Sequence, residues 1–266
     1  MAMEYRETSR DLQTRIAIHA RFGARDIDPW MIDLIRPARG SAILDVGCGA
    51  GKQCRAFYEH LEGEAEIIGG DVSPELLDEA RRSAGELGDG FSVQELDFNR
   101  PFPFPDERFD LVSCCFAIYY AADIPLTLRE CHRVLRSGGR LFTTGPMPEN
   151  KRLFYEIIEE ATGRPIPPMP GSSRYASEIL TAMRRQFSQV EVHIFENPLV
   201  FPNVGPFVAY TRASLSEDRK LWTGLFHAPE EFESVMRAVE AAAERRRQRD
   251  GKLIMTKVVG GLLATK

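Results

Sequence analysis

Three carboxylates and a run of glycines stand where a chain could hold a small ligand. The run Asp45-Val46-Gly47-Cys48-Gly49-Ala50-Gly51 ends an apolar stretch and precedes a helical pattern. Glycines let a backbone pass close to a ligand, because no Cβ intrudes and positive φ is open to them. The helix that follows offers free N–H groups at its N-terminus. The spacing is GxGxG, not the GxGxxG of a pyrophosphate-binding turn. Asp45 lies two positions before the first glycine, where a carboxylate repels a diphosphate and suits a cationic ligand. Asp71 follows Gly51 by twenty residues, at the end of a second apolar run. An acid there can accept hydrogen bonds from both hydroxyls of a ribose. Asp97 closes a third run, where an exocyclic amine can be read. Each acid alone is more often a solvated loop residue, and the glycines alone make a tight turn with no ligand. Together they point to one site.

The elements around them must put all three acids on one edge. Residues 42–47 are a short buried strand that stops at glycine, and residues 51–62 carry Cys54, Phe57 and Leu61 at helical spacing. Residues 66–70 are a second strand. Ser73-Pro74-Glu75 then opens a helix to about Glu86, with Ser as cap and Pro at the first helical position. Strands at 91–96, 109–116 and 140–145 follow, with a helix at 123–135 closed by Ser137-Gly138-Gly139. The segment 100–106 holds three prolines and can be neither helix nor central strand. Strand and helix alternating at this spacing predict a doubly wound parallel sheet, with the ligand crevice at the carboxyl ends of the strands. In the second half, helices are expected at 151–162, 176–187, 204–218 and 228–249, and strands at 189–196 and 252–265.

Composition narrows the class. At 266 residues, with 43% hydrophobic and 27% charged, this is an ordinary globular chain rather than a collagenous or disordered one. Lys+Arg 34 against Asp+Glu 39 gives −5, which argues against a protein that grips nucleic acid. Five cysteines (Cys48, Cys54, Cys114, Cys115 and Cys131) form no CxxC pair and no zinc-spaced cluster, so no metal is expected. The first residues lack a signal-peptide core, and no run of about 18 apolar residues predicts a membrane span. A cytoplasmic protein with reduced thiols is expected.

The run ILDVGCGAGKQ resembles the first motif of the class I S-adenosylmethionine-dependent methyltransferases. Asp71 matches their ribose-binding acid, and LDFNRPFPFPDERFDLVSCCFAIYY is similar to their third and fourth strands. PLTLRECHRVLRSGGRLF resembles the helix and fifth strand of the small-molecule branch, the ubiquinone/menaquinone-type enzymes. The resemblance spans about residues 40–146. It implies an α/β, Rossmann-like, doubly wound seven-stranded sheet whose last strand is antiparallel, here with a helical lid insertion. We read the chain as one methyltransferase domain, 1–266: an N-terminal helix (1–38), a cofactor-binding core (39–150), an acceptor and lid region (about 151–250, with the insertion at 198–250) and a final strand (251–266).

Carried over by position, the resemblance implies S-adenosylmethionine as cofactor and S-adenosylhomocysteine as product. Gly47, Cys48 and Gly49 would line the methionine part, and Asp45 would act through the loop and water. Gln53 would reach the carboxylate, and Asp71 would hold the ribose with Val72 beside the adenine. Asp97 would meet the adenine amine and Phe98 would flank the ring. Cys115, Phe116 and Tyr120 would face the sulfonium and the acceptor, where an electron-rich ring is favourable. The Asn-Pro-Pro-Tyr-like run of enzymes that methylate amine nitrogens of bases or glutamine is replaced by Cys-Cys-Phe-Ala-Ile-Tyr-Tyr. Cys114 and Cys115 are read as packing residues.

In-line attack on a sulfonium methyl needs positioning more than covalent help, and needs a base only if the acceptor must lose a proton. Tyr119, Tyr120, His132, His193 and His227 are the candidates, with Tyr120 and His227 favoured as the residues that touch the acceptor. Phe201, Phe207, Tyr210, Leu221, Trp222, Phe226 and Phe232 suit an apolar pocket or simply pack the lid. The basic run Arg245–Arg249 reads as a solvated helix face. The expected acceptor is a small molecule methylated on O, N or C by a monomer or homodimer. A nicotinamide-dependent oxidoreductase, a non-catalytic cofactor-binding relative and an RNA methyltransferase are the alternatives.

Overall fold

A computed structural model describes residues 9–166, 170–217 and 231–266 of the protein. Five strands run in parallel: β1 (Ser41–Val46), β2 (Ala65–Asp71), β3 (Phe91–Glu95), β4 (Phe109–Cys115) and β5 (Leu135–Pro146). Then come β6 (Gln189–Phe201) and β7 (Leu253–Thr265), with β7 antiparallel to both β5 and β6. The order across the sheet is β3-β2-β1-β4-β5-β7-β6. The topology reverses between β1 and β4, and the crevice for a ligand opens there, at the carboxyl ends.

Alternation along β1 shows how the layers form. Ala42, Leu44 and Val46 join a core on one face, against Leu128, Cys131 and Val134 of α5 (Ile124–Val134) and Met183 of α8 (Leu180–Gln186). Ile43 joins the other, against Met31 and Ile35 of α2 (Ile27–Ile35), Phe57 of α3 (Lys52–His60) and Leu77 of α4 (Pro74–Leu87). Both faces are covered, so β1 is buried along its whole length. The Ser73 hydroxyl accepts from Leu76 N at 3.3 Å with Pro74 inside the first turn, as the sequence predicts for α4.

A third core lies beside the sheet. It joins α6 (Arg152–Thr162), α9 (Gly205–Glu217) and α10 (Glu231–Asp250) to the far ends of β6 and β7, through Phe154, Ile157, Leu199, Phe201, Phe207, Tyr210, Met236 and Met255. The inserted helices are therefore a wall of a core. The basic run on α10 is largely exposed, as expected, with the Arg245 and Arg249 side chains open to solvent, and two of its arginines also pair across to α6. Arg245 pairs with Glu160 at 2.9 Å and Arg246 with Glu156 at 3.1 Å, so these charges seam α10 to α6.

Four boundaries differ from the sequence reading. The N-terminal helix is two, α1 (Ser9–Phe22) and α2, because Asn197 on β6 holds the break. Its Oδ1 accepts from Ala24 N at 2.8 Å and Arg25 N at 3.1 Å, and Asp26 then caps α2. Strand β6 continues to Phe201, so the insertion starts after 201 rather than at 198. Ser137-Gly138-Gly139 does not close a helix: α5 ends at Val134, and the glycines lie in the irregular start of β5. Helix α7 (Pro170–Arg174) and a π-turn, Tyr175–Ile179, lead into α8 where one helix at 176–187 is expected. Among the described residues no helix is long and apolar enough to cross a membrane.

The proline segment after β3 has its backbone groups met by two side chains of α5. Glu130 accepts from Phe102 N at 2.6 Å, and Arg133 donates to Phe102 O at 3.0 Å and Phe104 O at 2.8 Å. Glu130→Ala leaves the Phe102 N–H and the Arg133 guanidinium short of their acceptor. We expect it to cost about 1.5–3 kcal/mol of stability, the range for hydrogen bonds to charged groups. The measurement is urea unfolding, and a midpoint equal to that of the parent would show that the segment does not depend on this acid.

Candidate functional site

The glycine turn is folded back onto β2. Gly47 N and Cys48 N both donate to Gly70 O, at 2.7 and 3.0 Å, and Gly51 N closes the turn on Cys48 O at 3.0 Å. Gly47 has φ +72° and packs under the segment after β4; a Cβ there would stand 2.5 Å from Ala117 Cβ. Gly49 has φ +55°, and a Cβ there would meet nothing within 4 Å. The backbone at Gly49 thus borders open space at the carboxyl edge of the sheet. Its N–H donates to Asp71 Oδ2 at 2.8 Å, and Asp71 Oδ1 accepts from Ser73 N at 2.9 Å. One carboxylate therefore joins the turn after β1 to the start of α4.

Parallel register brings the third acid alongside. Asp71 lies opposite Glu95 on β3, and Leu96 N donates to Asp71 O at 3.0 Å, so Asp97 follows at the same edge. Asp97 Oδ1 accepts from the backbone and side-chain nitrogens of Asn99, at 2.9 and 3.0 Å. The Phe98 ring comes within 3.8 Å of the Cβ position at Gly47, which puts it over the turn. Val72 is 55% exposed and Phe116 37%, both large apolar side chains left open at this edge. Phe116 holds φ +56°, a costly conformation for a bulky residue. It is fixed there by its N–H, which donates to Thr144 O at 3.0 Å. The strand end turns its ring outward while Cys115, one residue earlier, turns inward.

Asp45 lies beneath the turn, buried, with the Ser113 hydroxyl and the Cys54 thiol donating to its two oxygens, the thiol at 3.5 Å. Burial pushes its pKa from 3.8 up to about 6; the two hydrogen bonds oppose that and the charge of Asp71 adds to it. Its contacts run to β4 and α3 rather than toward a ligand.

The remaining sequence candidates divide by placement. Cys48 and Cys115 are buried, with Cys115 Sγ 3.9 Å from Met31 Sδ, so their side chains pack the core and leave only backbone at the edge. Burial raises the Cys114, Cys115 and Cys131 thiols, Cys131 to about 12, which fits packing and not nucleophilic roles. Gln53 donates to Asp28 Oδ1 at 3.2 Å, and Lys52 pairs with the same acid at 2.9 Å. Asp28, which sequence reasoning did not single out, thereby holds α2 against the first turn of α3. Tyr120 ends a 3₁₀ turn, Ile118–Tyr120, after β4, with its ring 4.7 Å from that of Tyr119. His132 packs on Phe187 at 5.2 Å, and His193 meets Glu191 at 3.1 Å on the outer strand β6, so neither belongs to the site. His227, Leu221, Trp222 and Phe226 lie outside the described residues.

These residues fit a nucleoside carrying a positive charge. The open side of Gly49 makes a cradle that any Cβ would fill, and Asp71 stands beside it with both oxygens already aimed by backbone donors. Val72, Phe98 and Phe116 supply apolar faces, and of the three acids only Asp97 is seen in an ion pair among the described residues, with Arg100 at 3.3 Å.

A family model described as "Methyltransferase domain" matches residues 44–143, which is the stretch that carries the turn and all three acids. A demethylmenaquinone methyltransferase of Thermus thermophilus is 32% identical over 158 residues, covering 57% of this chain and 71% of that protein. An aklanonic acid methyltransferase of a Streptomyces is 30% identical over 118 residues, covering 44% and 53%. The chain spans about half the length of several curated relatives it matches. In fold it is similar to the crystal structure of the YcgJ protein of Bacillus subtilis, with a TM-score of 0.58 at 18% identity over 90% of this chain and 97% of that one.

Proposed function

The chain belongs to the class I S-adenosylmethionine-dependent methyltransferases, and from that premise we propose that it methylates a small molecule held over the carboxyl ends of β4 and β5. The observation that carries this reading is the junction at Asp71, where one carboxylate fixes both the open glycine turn and the start of α4. When bound, S-adenosylmethionine supplies a methyl group on a sulfonium, ready for in-line attack by an acceptor atom. The protein's part is to place the two partners. Asp71 offers its free lone pairs to ribose hydroxyls, Val72 and Phe98 flank a base, and Gly47 and Gly49 admit the amino-acid chain. Asp97 takes the exocyclic amine, and Phe116 and Tyr120 wall the space above β4. Cys48 and Cys115 contribute backbone, and Gln53 and Lys52 border the entrance with Asp28.

Names of relatives support the substrate class: the demethylmenaquinone, aklanonic acid and nocamycin methyltransferases are each named for a small organic molecule. We read the acceptor accordingly as a small molecule, with no nucleic acid partner. We read the protein as cytoplasmic, on the strength of five free, buried thiols, and as a monomer or homodimer. The test is calorimetric titration with S-adenosylmethionine, S-adenosylhomocysteine and NADH, followed by tritiated methyl transfer into small-molecule extract. Micromolar binding of the sulfur ligands and none of NADH is expected. NADH binding alone would replace this reading with hydride transfer.

Tyr120→Phe tests the wall against a proton acceptor. We expect a loss of less than about tenfold in methyl transfer with S-adenosylhomocysteine affinity unchanged. A loss in the 10²–10⁴ range of acid–base catalysts would make the hydroxyl the base.

A further inference from the structure

One edge of the sheet is long and open. The sheet ends in β3, a strand of 5 residues, on one side and in β6, of 13 residues, on the other. Short edge strands resist pairing with another chain, and long ones invite it. Beyond β7, β6 makes one further bridge among the described residues, from Leu199 to Gly23. Nearby, the Arg25 guanidinium lies 4.7 Å from the Phe195 ring and donates to Glu196 O at 3.4 Å. The break between α1 and α2 therefore closes this edge from Phe195 onward and leaves residues 189–194 open.

Backbone direction along β6 follows from its neighbour. Thr256 O and Val258 O of β7 accept from Lys151 N and Met147 N, on the β5 side. The odd-numbered residues of β7 therefore face β6, where Thr265 O accepts from Ser188 N at 3.2 Å. Gln189 lies opposite Thr265 and His193 opposite Gly261, so the odd residues of β6 turn their N–H and C=O groups to β7. Val190, Val192 and Ile194 turn theirs to the open edge, the side on which Arg25 meets Glu196 O. Pro198 is even too, and its missing N–H falls on the outer side, where no ladder bond is lost. Side chains alternate between the two faces. Val190 packs on the core shared with α5 and α8, while Val192 and Ile194 on the same face are 41% and 46% exposed. On the other face Phe195 is buried against Trp30 of α2, and Glu191 meets His193 at 3.1 Å.

The open stretch is complementary to itself. A second copy joining the same edge through a two-fold axis runs antiparallel, with outward-pointing residues opposite one another. With the axis at Val192, Val192 faces itself, Val190 faces Ile194, and Glu191 faces His193, an acid opposite a base. The Val192 pair and the Val190–Ile194 pairs exchange both N–H···O bonds. Glu191 and His193 then form the closer, non-hydrogen-bonded kind of pair, with Cα atoms about 4.5 Å apart. An axis at His193 sets imidazole against imidazole and Glu191 against Phe195. An axis at Glu191 sets carboxylate against carboxylate. Like charges directly opposite are destabilising, so charge selects Val192. Val192 is also the middle of the outward-pointing residues that Arg25 leaves uncovered.

We propose that β6 pairs with β6 of a second copy of this chain, antiparallel about Val192, to make a homodimer with one continuous sheet. Val190, Val192 and Ile194 of both copies form an apolar strip on one face, and the Glu191–His193 pairs cross the axis on the other. This makes the homodimer reading specific and rests on no feature of the cofactor edge. The strands of the two copies run in opposite directions, so their carboxyl edges, with Gly49 and Asp71, open on opposite sides of the dimer. Neither site borrows residues from the other copy.

The test is sedimentation equilibrium of the whole protein at rising concentration, beside calorimetry with S-adenosylhomocysteine. A monomer–dimer equilibrium with a dissociation constant on the order of micromolar is expected, since one strand pair is a small interface. Val192→Lys sets two ammonium groups against each other at the axis and is expected to weaken association about tenfold or more. Glu191→Lys is expected to weaken it as well, and Glu191→Lys with His193→Glu to restore it, because acid again faces base with the sides exchanged. All are expected to leave S-adenosylhomocysteine affinity unchanged. In the parent, amide hydrogen exchange at Val190, Val192 and Ile194 is expected to slow as the dimer forms. A parent that stays monomeric to about 100 μM overturns the proposal. So does a parent dimer in which those amides exchange as fast as in the monomer, whether or not any variant folds. A folded Val192→Lys protein that dimerises like the parent overturns it too, as does a folded double variant that associates no better than Glu191→Lys. A monomer that binds S-adenosylhomocysteine would leave the methyltransferase reading standing, and a dimer that does not bind it would strike that reading alone.

Discussion

Replacing Asp71 with alanine is expected to weaken S-adenosylmethionine binding by about 10- to 150-fold. That is the 1.5–3 kcal/mol range of hydrogen bonds to a charged group. The carboxylate has two kinds of work. It accepts from Gly49 N and Ser73 N, which holds the turn, and its remaining lone pairs face the edge where a ribose would lie. Asp71→Asn removes half of each. An amide oxygen can still accept from Gly49, but the amide nitrogen cannot accept from a hydroxyl or from Ser73. The asparagine variant is therefore expected to lose part of the affinity and the stability of the Ser73 bond, and the alanine variant to lose more of both. Calorimetry with S-adenosylhomocysteine and urea unfolding on both proteins read the two effects. Unchanged affinity in a folded Asp71→Ala protein would refute its role.

What was legible in the sequence follows from how local its causes are. The glycine turn, the acids at strand ends and the Ser73-Pro74 cap are written in neighbouring residues, and each lies where expected. So is the antiparallel last strand, through the resemblance of the whole motif set. The break between α1 and α2 is different, because Asn197 makes it from 173 residues away. Nothing near Gly23 shows that a strand will dock there. Ser137-Gly138-Gly139 reads as a helix stop by composition, yet α5 has already ended at Val134 and the three residues fall in the register shift between Leu135 and Arg140 of β5. Cys48 and Cys115 lie at the strand ends beside neighbours open at the edge, and side-chain direction alone turns them into the core. Lys151 carries no signal at all, since its left-handed backbone is held by its N–H donating to Thr256 O on β7, a hundred residues later.

Replacing Asp45 with asparagine is expected to make the protein's stability less dependent on pH between about 4 and 6. The buried carboxyl titrates at about 6 against 3.8 when unfolded. Below both values each state is protonated and no penalty exists. As pH rises between them the unfolded chain loses its proton first, so stability falls, and above both the loss is constant. Two pH units correspond to about 3 kcal/mol. The asparagine can still accept from Ser113, so it is expected to gain on the parent by up to about 3 kcal/mol from pH 4 to pH 7. Urea unfolding of both proteins across that range reads the difference, and a pH-independent gap would show that the carboxyl ionises at no cost. The same group has a use that opposes its cost. A cationic ligand above the turn favours the ionised carboxylate, and neutral S-adenosylhomocysteine does not. The ratio of S-adenosylmethionine to S-adenosylhomocysteine affinity is therefore expected to rise with pH through about 6 in the parent and to stay flat in Asp45→Asn.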